Sequence, residues 1–152
     1  MFVPKAWTGI NGIQPIKLEF IAEAPARLKP PSRKIPAAIF EASKKEFQRL
    51  RTYFYQESTS PITSPIVVAP KATAPFVRIC GDYRQVNKLI KVFNYPIPEV
   101  LKELHKAAQY SVFVDLDVRN AFHNIKLHAE TSALLSVQTP FGQFEPIFLP
   151  GL

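Results

Sequence analysis

The sequence predicts an α+β fold in which an antiparallel sheet is packed with helices, and three patterns in it carry that expectation. Phe40, Phe47, Leu50 and Phe54 recur near helical spacing, whereas Val112, Val114, Leu116 and Val118 alternate with polar or aromatic neighbours as in a strand. Short β-branched runs elsewhere are separated by clusters rich in Pro, Gly, Ser and Thr, and strands and helices follow one another without a regular βαβ alternation. At 152 residues and 47% hydrophobic, the chain can bury one sizeable core but not several independent ones.

Residues 1–35 form a Pro-rich lead-in, with Pro4, Pro15, Pro25, Pro30 and Pro31 and little periodicity. They are expected to run extended over a partner surface or to stay partly disordered, and residues 36–152 to make the folded body. A helix is predicted from Ala37 to about Tyr55, opened by Pro36, with Lys44, Lys45, Arg49 and Arg51 between its apolar positions. Ser58 to Pro65 make a turn-rich joint into a strand at Ile66–Ala69, which Phe76–Gly81 should join as a hairpin around the Pro70–Pro75 turn. Pro98 opens a second helix ending near Gln109, with Val100, Leu101, Leu104, Ala107 and Ala108 on its apolar face. The strongest strand signal is Ser111–Val118, which sets Phe113, Asp115 and Asp117 on one face. Ile125–Leu127 is expected to pair back, and Leu134–Gln138 with Phe144–Leu149 to form a last hairpin around Pro140–Gly142.

Charge and cysteine content narrow the function classes. Lys and Arg total 19 against 12 Asp and Glu, a net +7 that favours a polyanionic partner without choosing between nucleic acid and a membrane surface. Cys80 is the only cysteine, so an internal disulfide and a Cys-rich zinc site are both excluded. No run approaches the roughly 18 apolar residues of a membrane span, and no apolar core of signal-peptide length precedes Lys17. These points together give an expectation of an intracellular chain, in cytoplasm or nucleus and not secreted, with no membrane partner. Its oligomeric state is left open.

The carboxylates Asp115 and Asp117 on one strand face can hold a hard divalent cation through oxygen ligands, or can be a solvated edge. Their surroundings add a resemblance. Asp117-Val118-Arg119-Asn120-Ala121-Phe122-His123-Asn124-Ile125 resembles the first catalytic palm motif of reverse transcriptases from long-terminal-repeat retroelements: an Asp, an aromatic five residues on, then a His. Arg78 to Lys88, with Asp82-Tyr83-Arg84 and Asn87-Lys88, is similar to the fingers motif of the same family. Ser64-Pro65-Ile66-Val67-Val68 resembles the strand entering the fingers hairpin, Tyr95-Pro96-Ile97-Pro98 the joint back to the palm, and Thr139 to Glu145 the palm hairpin. The segments stand in the family's order, and the similarity is to its gypsy-like branch.

The resemblance implies right-hand polymerase fingers with an incomplete palm, and a parent activity of template-directed DNA synthesis from deoxynucleoside triphosphates on an RNA or DNA template-primer. It implies Asp117 as catalytic residue and, with the Val118 carbonyl, as ligand of Mg²⁺ or Mn²⁺. Arg78 and Phe122 would bind nucleotide, the Arg by stacking on the base and donating to phosphate, the Phe by lying under the sugar where a 2′-hydroxyl would collide. Lys71 is either a triphosphate contact or an exposed loop charge, since the turn lacks the family's Lys-Asp-Gly run. The basic helix of Lys44, Lys45, Arg49 and Arg51 is either a nucleic-acid contact or a solvated face. Asp82 with Arg84 reads as an internal charge pair, and His123 as a packing or template contact.

The chain departs from the family in lacking the second carboxylate motif, Tyr-x-Asp-Asp, and Leu149-Pro150-Gly151-Leu152 is one residue short of the family pattern. A truncated enzyme, inactive alone, is therefore expected. The alternative is a catalytically dead retroelement remnant that acts at most as a basic nucleic-acid-binding module.

Overall fold

The computed structural model describes residues 8–21, 25–92, 94, 96–118 and 120–151. Its elements in chain order are α1 (Ala37–Arg51), β1 (Tyr55–Glu57), β2 (Ser64–Pro70), β3 (Val77–Gly81), α2 (Arg84–Asn87), α3 (Val100–Ala107), a 3₁₀ turn (Ala121–Asn124), α4 (Ala129–Leu134), β4 (Val137–Thr139) and β5 (Gly142–Pro146).

Helix α1 begins where expected and stops at Arg51, four residues short of the predicted end. The Thr52 hydroxyl donates to the Arg49 carbonyl at 2.7 Å, and Tyr55–Glu57 leave the helix to pair with β5. Arg49 and Arg51 sit in the last turn, where cations complement the helix dipole. The helix buries Phe47 and Leu50 against the sheet. Phe47 is 1% exposed, with its ring centroid 5.2 Å from Tyr55 and 4.9 Å from Phe144.

The sheet runs β1-β5-β4-β2-β3. Every pairing is antiparallel except β2 with β4, where Ser64 and Pro65 lie beside Val137 and Gln138 in parallel. The β2–β3 hairpin forms as expected, in a register that sets Ile66 beside Gly81 and Pro70 beside Val77. Only glycine fits at position 81: a Cβ there would meet the buried Tyr83 ring, 2.6 Å from its hydroxyl oxygen.

The described residues of the lead-in lie on this chain's own body. Ile16 bridges Leu127, Phe20 bridges Ile90 and Leu28 bridges Ile62, while the Leu18 N–H donates to the buried Thr131 hydroxyl at 2.9 Å. Ile16, Leu18, Leu28 and Ile35 pack against the core.

Four other expectations are corrected. Residues 111–118 are not a strand: among the described residues no strand pairs with them, and their side chains are exposed, Leu116 by 84%. Alternation provides the preference, but a strand needs a neighbour to accept its backbone hydrogen bonds. Ile125–Leu127 accordingly pairs elsewhere, with Leu127 N–H donating to the Ile147 carbonyl at 3.0 Å and Leu149 N–H to Ile125 at 2.8 Å. The predicted strand at Leu134–Gln138 is split. Residues 129–134 are helical, with the His128 ring nitrogen accepting from the Glu130 N–H at 3.4 Å, and β4 starts only at Val137. Helix α3 covers Val100–Ala107 within the predicted span, yet none of its residues is buried. Among the described residues, no helix is long and apolar enough to cross a membrane.

Candidate functional site

The end of α1, the β2–β3 hairpin, the 3₁₀ turn and Pro150–Gly151 enclose a cleft of about 380 Å³. Arg49, Lys71, Arg78, Phe122 and His123 all line it, although sequence reasoning drew them from three separate segments. Lys71 stands at the start of the hairpin turn, which is closed by its N–H donating to the Phe76 carbonyl at 2.8 Å. Phe76 takes a left-handed conformation there, with φ 65°. Arg78 points outward from β3 and is exposed. Among the described residues, neither Lys71 nor Arg78 has a carboxylate within ion-pair distance, so both charges are available to a polar anionic ligand.

Arg49 is differently engaged. Its Nε and Nη2 donate to Glu46 Oε2 and Oε1 at 2.8 and 2.7 Å, a two-bond clamp on a carboxylate whose side chain is nearly buried. The Glu46 hydrogen bonds hold the Arg49 guanidinium pKa above its ordinary value, and its carbon lies 5.5 Å from the Tyr53 ring centre. The pair is close to neutral in net charge. Sequence reasoning placed Arg49 on a nucleic-acid face and missed Glu46 as its partner, although the i,i+3 spacing was a usable signal.

Phe122 is half exposed, at 51%, and belongs to the cleft wall, not to the core. An added Cβ on Gly151 would lie 3.7 Å from its Cδ2. The neighbouring His123 ring is stacked on Phe54, centroids 4.2 Å apart and planes 24° from parallel, with Nδ1 3.4 Å from the Tyr53 hydroxyl. Burial lowers the His123 pKa, the Arg49 charge lowers it further, and Glu46 opposes them.

The other expected site residues lie outside the cleft lining. Asp115, Asp117 and Val118 are exposed on the unpaired segment. Lys44 and Lys45 are exposed on α1 and, among the described residues, have no ion-pair partner. Arg51 donates to Glu57 at 3.2 Å and lies 4.9 Å from the Phe144 ring centre. Asp82 is the internal pair partner expected of it: Arg84 donates two bonds at 2.7 and 2.6 Å and Arg33 a third at 2.9 Å. Those bonds, Arg84's first, lower its pKa to about 2.

Comparison with known proteins decides the family. The model for reverse transcriptase (RNA-dependent DNA polymerase) matches residues 70–147, just over half of the chain. The chain belongs to the reverse transcriptase family. It is 30% identical over 142 residues to the Transposon Tf2-3 and Tf2-4 polyproteins of Schizosaccharomyces pombe, covering 90% of this chain and 11% of each of them. Among solved structures it resembles the native protease-reverse transcriptase of Prototype Foamy Virus, with a TM-score of 0.72 at 20% identity over 93% of this chain and 19% of that one. Foamy viral protease-reverse transcriptase structures in complex with dsDNA and with RNA/DNA hybrid resemble it with TM-scores of 0.73 and 0.71, both at 19% identity. They cover 93% and 97% of this chain, and 29% and 19% of those chains.

This reverse transcriptase chain thus spans about a tenth of the transposon polyproteins it matches. The matched residues include Lys71, Arg78, Asp117 and Phe122, whereas α1 and the lead-in precede them. The residues as placed do not fit a metal centre. No group of three or more His, Cys, Asp or Glu side chains gathers among the described residues, and the carboxylate of Asp117 faces solvent.

Proposed function

We propose that this chain forms the fingers and first part of the palm of a reverse transcriptase from a long-terminal-repeat retroelement of the gypsy-like branch, and that its cleft receives a deoxynucleoside triphosphate. The observation that carries the reading is the convergence of Lys71, Arg78 and Phe122 on one cleft. Two cations without carboxylate partners suit a triphosphate, the planar Arg78 guanidinium can also stack on a base, and the Phe122 ring offers an apolar floor to the sugar. Gly151 lies beside that ring.

Residues 111–118 offer an open edge that a further strand would complete. Their exposed apolar alternation and open backbone support this, and pairing would seat Asp117 beside the cleft as one ligand of a divalent site for Mg²⁺ or Mn²⁺. Among the described residues no further carboxylates gather to complete such a site, and this chain by itself is expected not to polymerise. Template-primer, as RNA or DNA, lies along the exposed Lys44 and Lys45. The foamy viral relatives in complex with dsDNA and with RNA/DNA hybrid support nucleic acid as partner. The work is done inside the cell, in cytoplasm or nucleus.

Titration of the chain with dCTP, alone and as Arg78→Ala and Lys71→Ala, tests the cleft. Weaker binding in both variants is expected. Equal binding by all three proteins would place the nucleotide elsewhere.

A further inference from the structure

Among the described residues, the segment leading into the turn that carries Phe122 has no pairing partner. Upstream of it, residues 112–118 are exposed and unpaired among the described residues. Asn120 then reverses the chain in a left-handed conformation, φ 50° and ψ 46°. Inside the turn, the His123 N–H donates to the Asn120 carbonyl at 2.9 Å, Ile125 N–H to Phe122 at 3.0 Å, and the Asn124 amide to Asn120 at 3.1 Å. These bonds shape the turn without fixing where it sits, and a four-residue 3₁₀ segment has little stability of its own.

Contacts from outside set its location. Just past it the Leu149 N–H donates to the Ile125 carbonyl at 2.8 Å, the Tyr53 hydroxyl lies 3.4 Å from His123 Nδ1, and Ile10 N–H, from the lead-in, donates to the Asn124 carbonyl at 2.8 Å. On the cleft side, the His123 ring lies 4.2 Å from Phe54, a residue only 2% exposed and itself held edge-on to Tyr55 at 4.7 Å. His123 is the residue next to Phe122, so a displacement of the His123 backbone moves the Phe122 backbone with it. Burial and the Arg49 charge favour the uncharged imidazole, against the opposing Glu46 charge, and the ring stacks on Phe54 as an aromatic surface.

We propose that His123 is a positioning residue of the cleft: stacked on Phe54, it docks the Ala121–Asn124 turn and thereby sets the height of the Phe122 ring under the nucleotide sugar. The proposal deepens the reading of Phe122 given above and rests on it for its consequence, selectivity between deoxyribose and ribose. The docking itself is independent of that reading.

Amide exchange and nucleotide binding are measured on the full chain as wild type, His123→Leu and His123→Phe, with dCTP and CTP as probes. His123→Leu fills the space without a ring to stack, so the His123–Ile125 amides should exchange faster while β2 and β3 stay protected. Its preference for dCTP over CTP should fall toward parity. His123→Phe should restore both, because the ring is what docks. Unchanged exchange in His123→Leu overturns the proposal, as does faster exchange with the preference intact, or His123→Phe behaving like His123→Leu. Loss of protection across the whole sheet in both variants would make His123 a core residue and overturn it too. If the wild type shows no sugar preference while exchange responds as expected, the docking role is supported and the sugar-facing reading of Phe122 is what falls.

Discussion

Phe122→Ala separates a cleft wall from a core residue by magnitude alone. Full burial of a Phe side chain contributes about 1.5–3 kcal/mol, and a core Phe→Ala exchange costs about 3–5 kcal/mol once the cavity is included. Phe122 keeps 51% of its surface exposed, so it has roughly half that burial to lose and leaves no closed cavity. The expected cost is therefore about 1 kcal/mol, a fall in Tm of about 2–4 °C for a chain of this size. Urea unfolding of both proteins, with Phe47→Ala as the core reference, measures it. In a chimera joining this chain to the sequence that follows the matched region in a Tf2 polyprotein, the same substitution should raise ribonucleotide use relative to deoxynucleotide use. A loss of 3 kcal/mol or more, with an unchanged sugar ratio, would refute the reasoning and make Phe122 structural.

Gly81→Ala should destabilise the chain by about 1–3 kcal/mol, because the new methyl enters the space of the buried Tyr83 ring; a melting curve matching wild type would contradict the packing. Asp82→Asn should lower stability at pH 7 by about 0.5–1 kcal/mol, the range of exposed ion pairs. Its folded pKa of about 2 lies below the unfolded value of about 3.9, so the contribution is full above the latter and is lost as pH falls through the former. Denaturant unfolding at stepped pH should show the two proteins converging near pH 2. Arg49→Ala should cost about 1–3 kcal/mol by leaving Glu46 unpaired, whereas Lys44→Ala or Lys45→Ala should spare stability and lower the salt slope of primer-template binding by about 0.7–0.9 each. Salt titrations beside melting curves distinguish the two classes.

The parts of the fold that could be read from the sequence are those whose cause is local. The β2–β3 hairpin announces itself through Ile66-Val67-Val68 and the Pro70–Pro75 turn, and α1 through Phe47 and Leu50 at helical spacing. Placing Lys71, Arg78 and Phe122 together needed motif resemblance, since nothing local connects a hairpin turn with a distant 3₁₀ turn. Residues 111–118 carry the clearest alternation in the chain and still form no strand, because pairing depends on a neighbour that alternation cannot supply. Leu134–Gln138 is ambiguous for a related reason: a short apolar run fits helix end and strand start alike, and the His128 cap decides between them. The docking of Ile16 on Leu127 and of Ile10 on Asn124 has no local signal at all.

Template-dependent deoxynucleotide incorporation by the same chimera, compared with its Asp117→Asn variant and alongside the 152-residue chain alone, tests the central claim most directly. The chimera should extend a primer on an RNA template, the chain alone should not, and Asp117→Asn should abolish extension while leaving primer-template affinity nearly unchanged, because it removes a carboxylate and not a phosphate contact. Extension by the Asp117→Asn chimera at the unsubstituted rate, or by the isolated chain, would contradict the account.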